Sequence, residues 1–194
     1  MSHLESICVY CGSSSRAAPA FLDAAEQLGR RIGREGRTLV YGGGRLGLMG
    51  RVADGALSEG GRVVGIIPEH LHKVEVQHDD VTELLIVDTM HTRKAEMVRR
   101  SDGFVVLPGG IGTLDELVEI MSWRQLGLHG KPIVIVDQDG YFEPFRHLME
   151  HIVSANFAAP SVAGYVTYVE TAEAALDALD AAQRDGIEVR LDKV

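Results

Sequence analysis

Gly103-Phe104-Val105-Val106-Leu107-Pro108-Gly109-Gly110-Ile111-Gly112-Thr113-Leu114-Asp115-Glu116 is the stretch that decides the fold. An apolar, partly β-branched run reads as a strand over 103–107. A proline and three glycines then break the pattern, and a helical spacing of apolar residues predicts a helix over 113–126. Strand, glycine-rich turn and helix in that order form the repeating unit of a parallel α/β sheet.

The same unit recurs on both sides. Upstream, strands are predicted over 6–10, 38–41, 62–67 (closed by Pro68) and 83–87; downstream, over 132–136 and, more briefly, 166–169. Helices are predicted from Pro19 to about Glu35, after the glycine loop at 42–50, and over 90–100, 142–154 and 171–184. Residues 69–80 are polar, rich in His and Glu and without period, and read as a loop. No repeat, low-complexity segment or linker interrupts the pattern. The expectation is one doubly wound α/β domain over 1–194, with a mostly parallel sheet flanked by helices.

The 194 residues are enough to bury a core. The formal net charge of −9 argues against a nucleic-acid partner, which would require a basic footprint. No apolar run reaches bilayer length and no signal peptide is legible, so no membrane partner and a cytoplasmic location are expected. Cys8 and Cys11 read as reduced core residues. Along a strand their spacing puts them on opposite faces, unlike a redox pair at a helix start.

Three small-residue loops follow strands: 12–15, 42–50 and 108–112. In such sheets ligands bind beyond the carboxyl ends of the strands, where glycine admits an anion to the backbone and the next helix offers free N–H groups. Two long loops of this kind point to a phosphate. Gly42-x-Gly44-x-x-Gly47, with Glu69 downstream, also matches a dinucleotide fingerprint, but it follows the second strand and leaves 108–112 unexplained.

Thr113-x-x-Glu116 is, on its own, best read as a capping box with Thr113 at the N-cap. The alternative places the Glu116 carboxylate at the phosphate loop, where it stabilises a cationic ribose or directs water. Asp115 faces about 100° away from Glu116 and cannot pair with it. Met90, Arg93 and Met97 recur at helical spacing, which aims Arg93 inward and in need of an anion; a solvated face for Arg93 and Lys94 stays open beside that. His70, His72 and His78 read as a solvated loop rather than a metal site. Trp123, Phe142 and Phe145 read as core or interface.

The residues as a set resemble the LOG ("lonely guy") family of cytokinin riboside 5'-monophosphate phosphoribohydrolases. Pro108 to Glu116 is similar to that family's PGGxGTxxE signature, and Met90-His91-Thr92-Arg93-Lys94 to its arginine–lysine segment. Val9 to Ser14, Tyr41 to Gly44, Gly47 to Gly50, and Trp123 with Gln125-Leu126-Gly127 also match, so the likeness runs to about Pro160. The resemblance implies a Rossmann-like fold and a homodimer with active sites near the subunit interface. The reaction it implies is hydrolysis of AMP or an N6-substituted AMP, such as N6-isopentenyl-AMP, to free base and ribose 5-phosphate, with no cofactor and no metal.

Carried over by position, Arg93 and Glu116 are the catalytic pair. Nucleotide contacts fall on Glu75, Lys94, Gly110, Ile111, Gly112, Thr113, Leu114, Asp115 and Ser122, with Gly43, Gly44 and Met90 from the other matched segments. Ser122 stands where plant members are expected to carry threonine. A lysine decarboxylase is set aside, since none of Lys73, Lys94, Lys131 and Lys193 has the setting of a cofactor Schiff base. A carrier of nucleotide or molybdenum cofactor on the same fold, and then an NAD-binding oxidoreductase, are the alternatives.

Overall fold

The computed structural model describes residues 4–72 and 77–182. Among these, seven strands form one sheet: β1 (Ser6–Tyr10), β2 (Thr38–Tyr41), β3 (Arg62–Pro68), β4 (Glu83–Val87), β5 (Gly103–Val106), β6 (Ile133–Val136) and β7 (Thr167–Val169). Their order is β4-β3-β2-β1-β5-β6-β7, and every pairing is parallel. The chain winds outward from β1 to β4, then returns and winds the other way from β5. The strand order therefore reverses between β1 and β5, and the loops after these two strands open a crevice.

Among the described residues seven α-helices join and follow the strands: α1 (Pro19–Arg34), α2 (Gly47–Ser58), α3 (Glu69–His72), α4 (Met90–Arg99), α5 (Ile111–Gln125), α6 (Glu143–Ser154) and α7 (Ala172–Ala181). Helices α1, α2 and α7 cover one face of the sheet through Leu28, Ile32, Leu48, Val52 and Leu176. Helices α4, α5 and α6 cover the other through Met97, Leu117, Ile120 and Phe145. Burial on both faces explains why the strands read as unbroken apolar runs. Cys8 lies in the second core and Cys11 in the first, both as free thiols.

Helix α7 is tied to the sheet by charge. Arg37, 2% exposed at the start of β2, donates through Nη1 and Nη2 to the two Asp180 oxygens at 3.0 and 2.6 Å. Fork-to-carboxylate geometry of this kind suits a buried guanidinium. It gives the acidic C-terminal helix a structural role.

The structure corrects the sequence reading at three places. Residues 69–80 are not wholly loop: Glu69–His72 form α3, and Gln77 bridges back to Gly44. Four residues are too few to show a 3.6 period. His78 is buried, its Nε2 2.9 Å from Asp54 Oδ1, not solvated. Helix α5 begins at Ile111 with Gly110 at its N-cap, so Thr113 is the third helical residue and the capping box does not form.

Candidate active site

Two loops meet at the crevice. Gly12 N–H donates to the Pro108 carbonyl at 3.0 Å, and Leu48 N–H donates to the Gly12 carbonyl at 2.9 Å. Gly109 is packed so closely that a Cβ there would stand 2.1 Å from Thr113 Oγ1 and 2.8 Å from Gly12 N. Tyr141 fixes the same turn by donating its hydroxyl to the Gly109 carbonyl at 2.7 Å. In α5 the Leu114 N–H is satisfied by the Gly110 carbonyl. The N–H groups of Ile111, Gly112 and Thr113 precede that first turn and have no acceptor within the helix. They and the helix dipole make an anion site.

Beneath this turn lies a cleft of about 280 Å³, with Arg93 and Glu116 among its lining residues. Helices α4 and α5 pack on the same face of the sheet, which brings together two residues 23 positions apart. Arg93 Nη2 stands 3.7 Å from Glu116 Oε1, with the side chains 8% and 11% exposed. That separation allows Coulomb attraction and exceeds a hydrogen bond. Arg93 donates through Nη2 to the Gly42 carbonyl at 3.3 Å and through Nη1 to Met90 Sδ at 3.7 Å, while its Nε is buried without a partner. The solvated-face reading of Arg93 is thereby overturned.

Burial pushes the Glu116 carboxyl up to about 7, against the pull of the neighbouring Arg93 guanidinium. Asp115 and Glu119 push it further up, and Lys94 draws it down. A carboxyl poised near neutrality can exchange protons at physiological pH, as a group acting on a reacting bond must.

Gly110, Ile111, Gly112, Thr113, Asp115 and Met90 also line the cleft. Lys94 does not; its Nζ is held by Asp115 at 3.1 Å and Glu119 at 3.0 Å. Leu114 packs into the core behind α5. Ser122 is exposed, well along α5 from the cleft in the single chain. Gly43 and Gly44 are buried away from it, Gly43 against Ile67 and Leu84 and Gly44 in its bridge to Gln77. Glu75 lies outside the described residues.

The residues that the sequence reading left out of the site, though they line it, are Gly42, Met49, Val9, Cys11, Gly12 and Ser13. Their signal was present, since two of the glycine loops carry Gly12 and Gly42. Among the described residues no group of three or more His, Cys, Asp or Glu side chains could hold a metal, and no helix is long and apolar enough to cross a membrane.

A family model described as "Possible lysine decarboxylase" matches residues 49–179. A probable cytokinin riboside 5'-monophosphate phosphoribohydrolase of Oryza sativa subsp. japonica is 47% identical over 160 residues, spanning 82% of this chain and 70% of that one. A cytokinin riboside 5'-monophosphate phosphoribohydrolase of Rhodococcoides fascians is 40% identical over 176 residues, spanning 90% and 89%. The chain belongs to the LOG family.

Solved structures add the fold. The molybdenum cofactor binding protein of Rippkaea orientalis superposes with a TM-score of 0.68 at 24% identity, covering 91% of this chain and 95% of that one. The molybdenum cofactor carrier protein of Chlamydomonas reinhardtii gives 0.69 at 22%, covering 90% and 95%. The decarboxylase wording of the family model finds no support in the lysines described. Burial disfavours the charged form of Lys94, yet its hydrogen bonds to Glu119 and Asp115 outweigh this and hold the ammonium above its ordinary value. A Schiff-base lysine needs the reverse. In this LOG family member Lys131 is likewise engaged, donating to the Val98 and Ser101 carbonyls.

Proposed function

We propose that this chain hydrolyses the N-glycosidic bond of a nucleoside 5'-monophosphate, AMP or an N6-substituted AMP, to free base and ribose 5-phosphate. The observation that carries the reading is the Arg93–Glu116 pair, buried side by side under the free N–H groups of α5. The names borne by relatives at 40–47% identity agree with it.

The 5'-phosphate binds the N–H groups of 111–113, and this remote contact sets the sugar over Glu116. As the C1'–N bond breaks, its electron pair leaves with the base and the ribose acquires oxocarbenium character. The ionised Glu116 stabilises that charge and orients the water whose oxygen bonds to C1'. One water proton remains on the new hydroxyl, and the other balances the departing base. Arg93 keeps a fraction of Glu116 ionised at neutral pH. The 3.7 Å between its Nη2 and Glu116 Oε1 leaves the two groups open to the ribose hydroxyls.

Chromatography of base released from AMP and N6-isopentenyl-AMP tests the reading, with Glu116→Ala and Arg93→Ala alongside. Release by the wild type, lost by at least about 10²-fold in folded variants, supports it. No free base from either nucleotide overturns it.

We further read residues 1–194 as one cytoplasmic domain that works as a homodimer. Support for the dimer comes from Ile111 and Val118 on α5 and Leu126 at its C-cap, which are 82%, 45% and 72% exposed. Apolar residues left in a row on a helix favour a partner surface. Light scattering that returns a single-chain mass would sink this part.

A further inference from the structure

Helix α4 opens on a firmly capped turn. The Thr92 N–H donates to the Thr89 hydroxyl at the N-cap at 3.0 Å, and the Thr92 hydroxyl donates to Asp88 Oδ1 at 2.6 Å. The turn has little freedom left. It carries Met90 and Arg93, which lie three positions apart and so share one side of the helix. Both side chains line the cleft, Met90 half-buried and Arg93 only 7% exposed.

For a buried cation, the Arg93 guanidinium is weakly bound. Its Nε has no partner, and Nη1 donates to Met90 Sδ at 3.7 Å. Nη2 is shared between the Gly42 carbonyl at 3.3 Å and Glu116 Oε1 at 3.7 Å. A buried arginine and carboxylate attract strongly and ordinarily close to about 2.8 Å, often with two parallel bonds. This pair stops short of that. The groups that engage the guanidinium instead are a backbone carbonyl and a sulfur, and the sulfur is the part supplied by a side chain.

We propose that Met90 is a positioning residue that holds Arg93 off Glu116, its sulfur occupying Nη1 so that the charge pair stays open. The use made of the opening rests on the glycosidase reading above. A closed pair has to be parted before a ribose hydroxyl can reach either group, and that parting is charged against the bound nucleotide. The thioether suits the task because it is a weak, uncharged acceptor. A carboxylate at residue 90 would take the cation for itself, and an aliphatic side chain would release it to Glu116.

Carbon-13 NMR titration of the Glu116 carboxyl reads the pair without substrate, the resonance being assigned through Glu116→Gln. Wild type, Met90→Leu and Met90→Gln are compared, each checked for folding by circular dichroism. Leucine is close to methionine in volume and helix propensity, so the fold is kept while the acceptor is lost. Glutamine restores an uncharged acceptor at similar reach. Besides Arg93, the groups that act on Glu116 are Lys94 on α4, Asp115 and Glu119 on α5, and Cys8, Tyr10 and Cys11 from the sheet side; neither substitution replaces any of them.

Met90→Leu is expected to let the pair close and to lower the Glu116 midpoint by about one pH unit, since direct contact with a guanidinium favours the ionised carboxyl. Met90→Gln is expected to return it to within about 0.3 unit of wild type. In kinetics with AMP, Met90→Leu lowers kcat/KM about fivefold or more, with its ascending limb moved the same way, and Met90→Gln recovers most of the loss. A Glu116 midpoint in Met90→Leu that equals the wild-type one, or lies above it, overturns the proposal. The expected midpoint shift, with no base released from AMP by any of the three proteins, keeps Met90 as the spacer and sinks the glycosidase reading instead.

Discussion

The guanidinium of Arg93 lies directly against the Cα of Gly42: a Cβ on residue 42 would stand 2.0 Å from Nη2 and 3.2 Å from Cζ. No side chain fits there unless Arg93 moves. Glycine at this position, therefore, serves the placement of a charge held on another helix.

Gly42→Ala should displace Arg93 from Glu116 while leaving the sheet intact. A displacement of about 1 Å at a reacting centre can cost on the order of 10²-fold in rate. The expected result is a kcat lower by about that factor with Tm within several degrees of wild type. A variant with wild-type kcat would show that the arginine tolerates the shift.

The pH profile should carry the signature of the pair. Burial sets the Glu116 carboxyl at about 7, so kcat/KM should rise with pH through an ascending limb near that value. Arg93 opposes the upward shift, and Arg93→Ala should move the limb to higher pH as well as lowering the plateau. A limb that stays in place in the variant would separate Arg93 from the ionisation of Glu116.

Stability should show the same group with a definite sign. Between 4.5, the ordinary carboxyl value, and about 7 the folded protein keeps a proton that the unfolded chain has lost. Stability therefore falls as pH rises through that window, and the native state is penalised above it, by about 3 kcal/mol. Glu116→Gln does not titrate, so its urea midpoint should gain on wild type between pH 5 and pH 8. A constant difference would mean that Glu116 ionises normally.

Asp180→Asn should destabilise the fold. Arg37 is almost fully buried and would keep only Glu35, 2.7 Å away, as a carboxylate partner. Weakening one side of a buried charge network costs about 3 kcal/mol, and the variant should lose Tm without changing kcat at low temperature.

Much of the architecture was legible because it rests on local signals. The strand at 103–107 and its fellows are apolar runs, and their boundaries agree within a residue or two. The start of α5 was misread because Thr113-x-x-Glu116 imitates a capping box, whereas the helix begins earlier on the weak formers Ile111 and Gly112. Arg93 stayed undecided because its burial depends on Glu116 and Gly42, which only the packing of α4 against the sheet brings near. Gly43 and Gly44 resembled ligand loops in composition, but the chain turns them toward β3, and only Gly42 faces the cleft. Ser122 was carried over by position from the resemblance, and in the single chain it is exposed on α5 outside the cleft lining.

Cys8 in β1 and Cys11 just past its end lie on opposite sides of the sheet, each sunk in a different core and each kept protonated by burial. The chain thus carries a built-in reporter on either side of its sheet. Alkylation of Cys8 records exposure beneath α4, α5 and α6; alkylation of Cys11, which also lines the cleft, records exposure at the cleft end of the α1, α2 and α7 layer. If both thiols become reactive at one denaturant concentration, the halves melt as one cooperative unit. If one reacts first, the layer it occupies is the weaker half of the molecule.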